Sequence, residues 1–343
     1  MTLLSIGLLV GLAPAATSDR PDESPHASRA SVAPHATLER AENPREPKVG
    51  SAGACATCHS AIAREWAGSS HHRSASNESY TAAVEREPLA FCRGCHAPSG
   101  DASYSTSRQT LAFEGGIGCT TCHEGMAADH ASSLAAPRKA SSSVKACVTC
   151  HEFSFPTSPA LMQKTGAEHR GSAFATTGCE TCHMLSVGER PHRDHRFDVA
   201  PLVGQALVAD VSRASPTRLA FRLAPGEIGH AFPTGDLFRR LSVRVESTDG
   251  RVLTERFLAR HFKSVRGTNL EQADDRVGAP GLARCFELEI AGLDRSAPVV
   301  ASIALERVEM PRPAGDGAAI VSARIPLFRE SFPSLPETFR PCP

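Results

Sequence analysis

Five copies of Cys-x-x-Cys-His between residues 55 and 183 leave this chain few ways to fold. They are Cys55, Cys58 and His59; Cys92, Cys95 and His96; Cys119, Cys122 and His123; Cys147, Cys150 and His151; and Cys179, Cys182 and His183. The Cys and His content alone gives about 0.02 chance occurrences over the whole chain. The pattern is the attachment motif of c-type haem. Two thiols bond the two vinyl groups of a porphyrin, and the adjacent His becomes the proximal iron ligand. Zinc sites also use Cys-x-x-Cys pairs, but two at a time, and without a His after each second Cys. A disulfide framework suits an exported chain but gives the His no role. Five covalently bound haem c groups are the expected cofactors.

Successive motifs start 37, 27, 28 and 32 residues apart. That density predicts a multihaem cytochrome c domain over residues 50–200, with short helices and loops packed on haems and little regular structure. Aromatic residues are only 5% of the chain, with one Trp and two Tyr. Porphyrin faces would supply the apolar surface such a chain lacks. This region is expected to be largely unfolded without its cofactors. Gly115-Gly116-Ile117-Gly118 and Thr177-Gly178 suit tight turns into the third and fifth motifs.

The apolar run Leu3–Leu12, followed by Ala13-Pro14-Ala15, reads as a signal peptide over residues 1–16, although a basic n-region is missing. The run is too short to span a bilayer, so no transmembrane segment is expected in the mature chain. Residues 17–49, rich in Pro, Ser, Ala, Glu and Arg, read as a disordered linker. A periplasmic or secreted location follows. Lys plus Arg equal Asp plus Glu at 37 each, and no basic stripe points to nucleic acid.

After Pro201 the pattern changes. Leu219–Leu223, Leu241–Val245, Cys285–Ile290, Val299–Ile303 and Ala318–Ile325 alternate apolar and polar residues, with turn signals such as Thr248-Asp249-Gly250 between them. Six or seven such strands predict a C-terminal antiparallel β-sandwich over residues 201–343. Cys285 and Cys342 lie outside any haem motif and could pair as a disulfide.

Electron-transfer haems favour a second axial imidazole. Besides the five motif histidines the chain has ten others. His26 and His35 fall in the linker. The remaining eight are His71, His72, His130, His169, His192, His195, His230 and His261. His230 stands beside the turn chemistry of Pro233-Thr234-Gly235. It either caps that turn or reaches an iron. Glu65-Trp66-Ala67-Gly68-Ser69-Ser70-His71 aligns with Glu168-His169-Arg170-Gly171-Ser172-Ala173-Phe174. In that register His169 replaces Trp66, so it is either a packing residue or a distal ligand. His192 is a further distal candidate. His72 is read as facing away from iron or serving a propionate, and His261 as an ordinary half-exposed strand residue.

The residues also carry a family resemblance. They include Trp66-x-x-Ser69-x-His71 after the first motif and His123-Glu-Gly-x-x-x-x-His130 from the third. They also include Cys179-Glu-Thr-Cys-His-Met184, Asp194-His195-Arg196-Phe197 and Gly229-His230-Ala-Phe-Pro233-Thr234-Gly235. Over residues 50–245 the chain resembles the multihaem cytochromes related to the tetrahaem cytochrome of ammonia oxidisers and to hydroxylamine oxidoreductase. The resemblance implies distal-ligand roles for His71, His130, His195 and His230. The chain departs from the family at Glu124-Gly125-Met126, where Gly-Pro-Gly is usual.

The preferred reading is a pentahaem cytochrome that relays electrons and has no catalytic residues. Its partners would be redox proteins, either other cytochromes or a membrane quinol-linked complex. The alternative is a multihaem oxidoreductase acting on a small nitrogen or sulfur compound at one five-coordinate haem, the second or the fourth. Against it, the chain has no Cys-x-x-Cys-Lys motif, and only Tyr80 and Tyr104 could form a tyrosine cross-link. A third reading makes the chain a unit of a homo-oligomer or haem filament, joined through the linker and exposed strand edges.

Overall fold

The structure, a computed structural model, describes residues 53–98, 116–123, 143–156, 158, 160–188, 191–265, 268–278, 283–290, 297–309 and 319–333. The expectations for residues 1–16 and 17–49, for His130 and for Cys342 lie outside the described residues.

Each motif in the first half rides on a short helix or its end. The helices are α1 (Gly53–Cys58), α2 (Ser60–Ala67), α3 (Glu78–Arg86), α4 (Ala90–His96), α5 (Cys119–Cys122), α6 (Ser143–His151), α7 (Thr165–Arg170), α8 (Cys179–His183) and α9 (Ala200–Val203). A helical turn brings positions i, i+3 and i+4 to one side. Both thiols and the imidazole of one motif therefore project together. Helix α3 starts where the Asn77 side chain accepts the Tyr80 N–H, an N-cap. Two small antiparallel pairs interrupt the helices: β1 (Glu152–Ser154) with β2 (Leu161–Lys164), and β3 (Ser186–Val187) with β4 (His192–Arg193). Among the described residues the buried apolar cluster of this half is small: Ala63, Trp66 and Ala67, with Ala56 and Cys119 beside it.

The second half is antiparallel sheet. Strands β5 (Leu207–Ser215), β6 (Arg218–Pro225) and β11 (Arg284–Glu289) form one sheet in the order β11-β6-β5. Strands β7 (Arg239–Ser247), β8 (Val252–Leu258), β12 (Val299–Val308) and β13 (Val321–Phe332) form another in the order β13-β12-β7-β8. A hairpin of β9 (Arg260–Val265) and β10 (Thr268–Asp274) completes the set. Seven strands in two sheets agree with the number the alternation predicts. The last one begins later than expected and runs on to Phe332. Its outer residues include Ser322, Arg324 and Arg329, which blurs the apolar signal read from sequence.

The period of two explains the core. Leu219, Phe221 and Leu223 point inward from β6, and Leu241, Val243 and Val245 from β7. Val299, Ala301 and Ile303 do so from β12, where Ile303 faces Val243 and Ala301 faces Val245 across the ladder. Both sheets feed this one core. Phe221 and Phe286 stack across β6 and β11 with ring centres 5.4 Å apart. The β7–β8 turn uses Gly250 at φ +87°, the left-handed region where a Cβ is penalised.

The two halves meet through charge. Lys164 pairs with Glu271 at 3.0 Å and Asp274 at 2.8 Å. The Arg260 guanidinium donates to the carbonyls of Leu161 and Met162 and to Glu271. Arg276 joins Glu168 to Asp274 and donates to the Pro233 carbonyl. Arg260 and Arg276 are both buried, so removing one partner would strand a charge in a poor dielectric.

Candidate haem centres

Three of the five motif histidines face a second imidazole. His151 and His71 have ring centres 6.3 Å apart, His123 and His195 6.3 Å, and His183 and His230 6.1 Å. Two metal–nitrogen bonds of about 2 Å, each continued about 1 Å to its ring centre, span about 6 Å. The gaps thus fit an iron between each pair, and the flanking thiols fit the rest of a haem c. By contrast, a tetrahedral zinc centre draws four ligands to one point. Among the described residues no three His, Cys, Asp or Glu donors converge in that way.

Backbone carbonyls orient three of the rings. His195 Nδ1 lies 2.7 Å from the Arg193 carbonyl, His230 Nδ1 3.0 Å from the Ala231 carbonyl, and His96 Nδ1 2.9 Å from the Ser74 carbonyl. A carbonyl only accepts, so each Nδ1 carries the proton and Nε2 keeps its lone pair. Metal-ligating histidines are held in this way. Burial lowers the pKa of His71 to about 4, with His151 adding to the effect. Burial also lowers His123, His183, His195 and His230. These imidazoles stay neutral, the form that binds a metal.

His71 is set by its neighbours. Trp66 Nε1 donates to the Ile117 carbonyl at 2.8 Å, and the Ile117 N–H donates to the His71 carbonyl at 3.0 Å. Gly116 sits between at φ +42°. A Cβ there would lie 2.4 Å from the His71 carbonyl oxygen and 2.6 Å from that of His72. Only glycine fits this approach, as the turn before the third motif requires. Phe197 packs edge-on against His71 at 4.3 Å and lies 6.2 Å from His195, so it stands between two of the pairs.

The second motif is built differently. His96 stacks on Tyr80 with ring centres 4.3 Å apart and planes 12° apart. Ser74 grips it twice, since its hydroxyl donates to the His96 carbonyl at 2.7 Å and its own carbonyl accepts from Nδ1. Among the described residues no imidazole faces His96 at the separation of the other three pairs.

The other candidate histidines go elsewhere. His192 Nε2 lies 2.9 Å from Glu65 Oε1, so its outer nitrogen is already engaged. His169 is buried beside Gly229, and its Nδ1 has no protein partner. His72 packs edge-on against Trp66 at 4.5 Å. His261 is more buried than the strand pattern suggests, because its Nε2 binds Asp275 at 2.9 Å. Sequence reasoning gave Glu65, Ser74 and Phe197 no role of their own and weighed Tyr80 only as a cross-link candidate. The Glu65–Glu168 match was visible in the internal alignment, but attention there falls on the histidines.

The motifs touch one another through sulfur. Cys150 lies beside Cys95, and Cys147 beside Cys179, where the helices that carry the motifs pack together. Burial raises the Cys119 thiol, and Cys55 raises it further. Burial likewise raises Cys122, with Cys150 adding to it. The first motif thus adjoins the third, and the fourth adjoins the second, third and fifth. Cys285 is disulfide-bonded. None of the ten motif cysteines is paired in a disulfide.

Residues 54–124, which hold the first three motifs, match the family model described as cytochrome c554 and c-prime. The match relates this chain to the c-type cytochromes, whose haem is covalently bound. No curated protein and no solved structure matches the chain significantly. No helix among the described residues is long and apolar enough to cross a membrane.

Proposed function

We propose that this chain is a periplasmic or secreted pentahaem c-type cytochrome that relays electrons through closely packed, mostly bis-His haems. The three imidazole pairs at 6.1–6.3 Å carry the reading, since each joins a motif histidine to one from a distant segment. The ten motif cysteines form the thioethers, and His59, His96, His123, His151 and His183 are the proximal ligands. His71 is the distal ligand for the fourth motif, His195 for the third and His230 for the fifth. His130 is a further distal ligand, as the family resemblance implies. Bound haem c supplies one-electron storage at each iron. Paired imidazoles keep the coordination the same in both oxidation states, so little rearranges as an electron passes.

The packing of the motif helices supports a path from the first motif through the third and fourth to the fifth, with the second branching at the fourth. The narrower kinship, to the tetrahaem cytochrome of ammonia oxidisers and hydroxylamine oxidoreductase, rests on the motif contexts given above. The partners are redox proteins. The division into a haem domain at 50–200 and a β-domain at 201–343 follows the change of pattern at Pro201. Cys342 is the partner of Cys285.

One observation favours a second reading. Among the described residues no second imidazole faces His96, and an open iron face at the second motif is what an oxidoreductase for a small nitrogen or sulfur compound needs. Spectroscopy separates the two. A relay gives an intact mass with five haem additions and iron that does not bind cyanide or nitric oxide. A high-spin signal that changes with substrate-dependent oxidation assigns the second motif to catalysis. A colourless product of bare-peptide mass ends both readings.

A further inference from the structure

Two glutamates outside every haem motif hold equivalent places in the chain. Glu65 lies near the end of α2 and Glu168 in α7. Each helix stops at a glycine with right-handed backbone angles: Gly68 at φ −80°, ψ −8°, and Gly171 at φ −87°, ψ −1°. One residue further on, a serine hydroxyl accepts a backbone N–H. Ser69 Oγ takes that of His72 at 3.1 Å, and Ser172 Oγ that of Phe174 at 3.1 Å. The internal repeat of the sequence is therefore also a repeat of helix end and glycine stop, although the serine bond spans three residues in one copy and two in the other.

The two carboxylates do the same work. Glu65 Oε2 accepts the backbone N–H of His195 at 3.1 Å. Glu168 Oε2 accepts the backbone N–H of Ala231, next to His230, at 3.2 Å, and the Thr234 hydroxyl at 2.8 Å. The second oxygen of each is also held, in Glu65 by His192 Nε2 and in Glu168 by Arg276. We infer that Glu65 and Glu168 are a repeated positioning device, in which each carboxylate fixes the backbone that presents a distal histidine to iron. The inference rests on His195 and His230 being distal ligands. A fixed backbone removes the entropy cost of bringing the imidazole to the metal at each ligation.

The two clamps differ in a way that can be measured. At residue 65 the outer partner is an imidazole nitrogen, which can accept from an amide. At residue 168 it is a guanidinium, which only donates. Glu65→Gln should keep its clamp: the amide oxygen takes the His195 N–H and the amide NH2 donates to His192. Glu168→Gln must set an NH2 against Arg276 or against the Ala231 N–H, and should loosen the His230 loop.

The experiment uses the full haem-loaded chain, read by electron paramagnetic resonance and by cyanide titration. Glu65→Ala should turn one low-spin signal partly high-spin, with about tenfold or greater gain in cyanide binding at that site, as expected for loss of a bond to a charged group. Glu65→Gln should restore the parent spectrum. Glu168→Gln should open a different site. The remaining low-spin signals act as the folding control. His195→Ala and His230→Ala identify the two signals. If these two variants each open a site while Glu65→Ala and Glu168→Gln leave both closed, the positioning device is refuted and the ligand assignment stands. If the His→Ala variants change no signal, the ligand assignment fails and takes the device with it.

Discussion

Phe197 meets His71 edge to face, with ring centres 4.3 Å apart and planes 73° apart. Its backbone is left-handed at φ +52°, unusual for a residue with a bulky side chain. The same ring lies 6.2 Å from His195, so one half-buried phenyl braces two proposed distal ligands. Phe197→Ala keeps the costly backbone and loses the brace. It should destabilise the holo-protein by about 1–3 kcal/mol and broaden two low-spin signals together. Phe197→Gly should recover part of that stability without sharpening the signals. Thermal unfolding and paramagnetic resonance of the two variants check both halves of this expectation.

The imidazole planes of the three pairs are not alike. They cross at 61° for His71 and His151, but at 27° for His123 and His195 and 16° for His183 and His230. Near-parallel ligand planes act together on the iron d-orbitals, whereas crossed planes partly cancel. The spectrum should therefore contain two similar rhombic low-spin species and a third that is markedly more axial. His71→Ala should remove the axial one and leave the other two. Loss of a rhombic species in that variant would reassign His71.

The β core and the motif region should part company when haem attachment is prevented. Phe221, Leu223, Val243 and Ile303 are almost wholly enclosed by protein atoms, whereas the motif half shows only the small cluster around Trp66. In a host without haem maturation, hydrogen exchange should be slow over residues 207–308 strands and fast around Cys55 and Cys147. Phe221→Ala should lower the stability of that apo core by about 3–5 kcal/mol, read by denaturant unfolding.

Acid should loosen the junction between the halves. Burial alone would raise Asp274, but its bonds to Arg276 and Lys164 outweigh that and hold it well below the ordinary carboxylate range. Glu271 is lowered in the same manner, burial opposing and Arg260 and Lys164 prevailing. A depressed carboxylate stabilises the fold fully above its unfolded pKa of about 4 and loses that contribution as pH falls through the folded value. Stability should be level from neutral pH down to about 5 and then decline below about 4. Lys164→Met should leave the start of the decline unchanged and make it shallower, because Asp274 and Glu271 are then depressed less. A fluorescence-detected or absorbance-detected acid titration decides this.

The bond at Cys285 offers a simple chemical check. Thiol labelling of the unfolded holo-protein should add nothing before reduction and two labels after it, at Cys285 and Cys342. Replacing Cys285 by Ser should cost about 2–4 kcal/mol, as for other cross-links that close a long loop. Two labels before reduction would contradict the pairing.

The motif histidines stand out in the sequence because one pattern recurs five times. The sandwich was legible because Leu219, Phe221 and Leu223, and likewise Leu241, Val243 and Val245, alternate without a break. Strands β8, β9 and β10 were not, since Glu255, Arg256, Lys263 and Glu271 interrupt their apolar positions. The Asp194-His195-Arg196-Phe197 context ranks His195 above His192, three residues before it, but gives no physical reason. What distinguishes them is Glu65, more than a hundred residues away, which engages the ring of one and the backbone of the other. No local signal carries that information. Tyr80 enters the sequence reading only as a cross-link candidate, because its stacking on His96 joins two segments that no local pattern links.

His183 and His230 lie 6.1 Å apart in space but 47 positions apart in the polypeptide, the latter beyond the first two strands of the sandwich. On the proposed ligation, a nascent chain threading out N-terminus first could complete the fourth site from His71 and His151 while the β-domain was still inside the translocation pore. The fifth site would have to wait for that domain to emerge and dock. Closure of the last iron would then serve as a checkpoint on biogenesis, and a prematurely terminated product would advertise itself by one reactive, exposed haem.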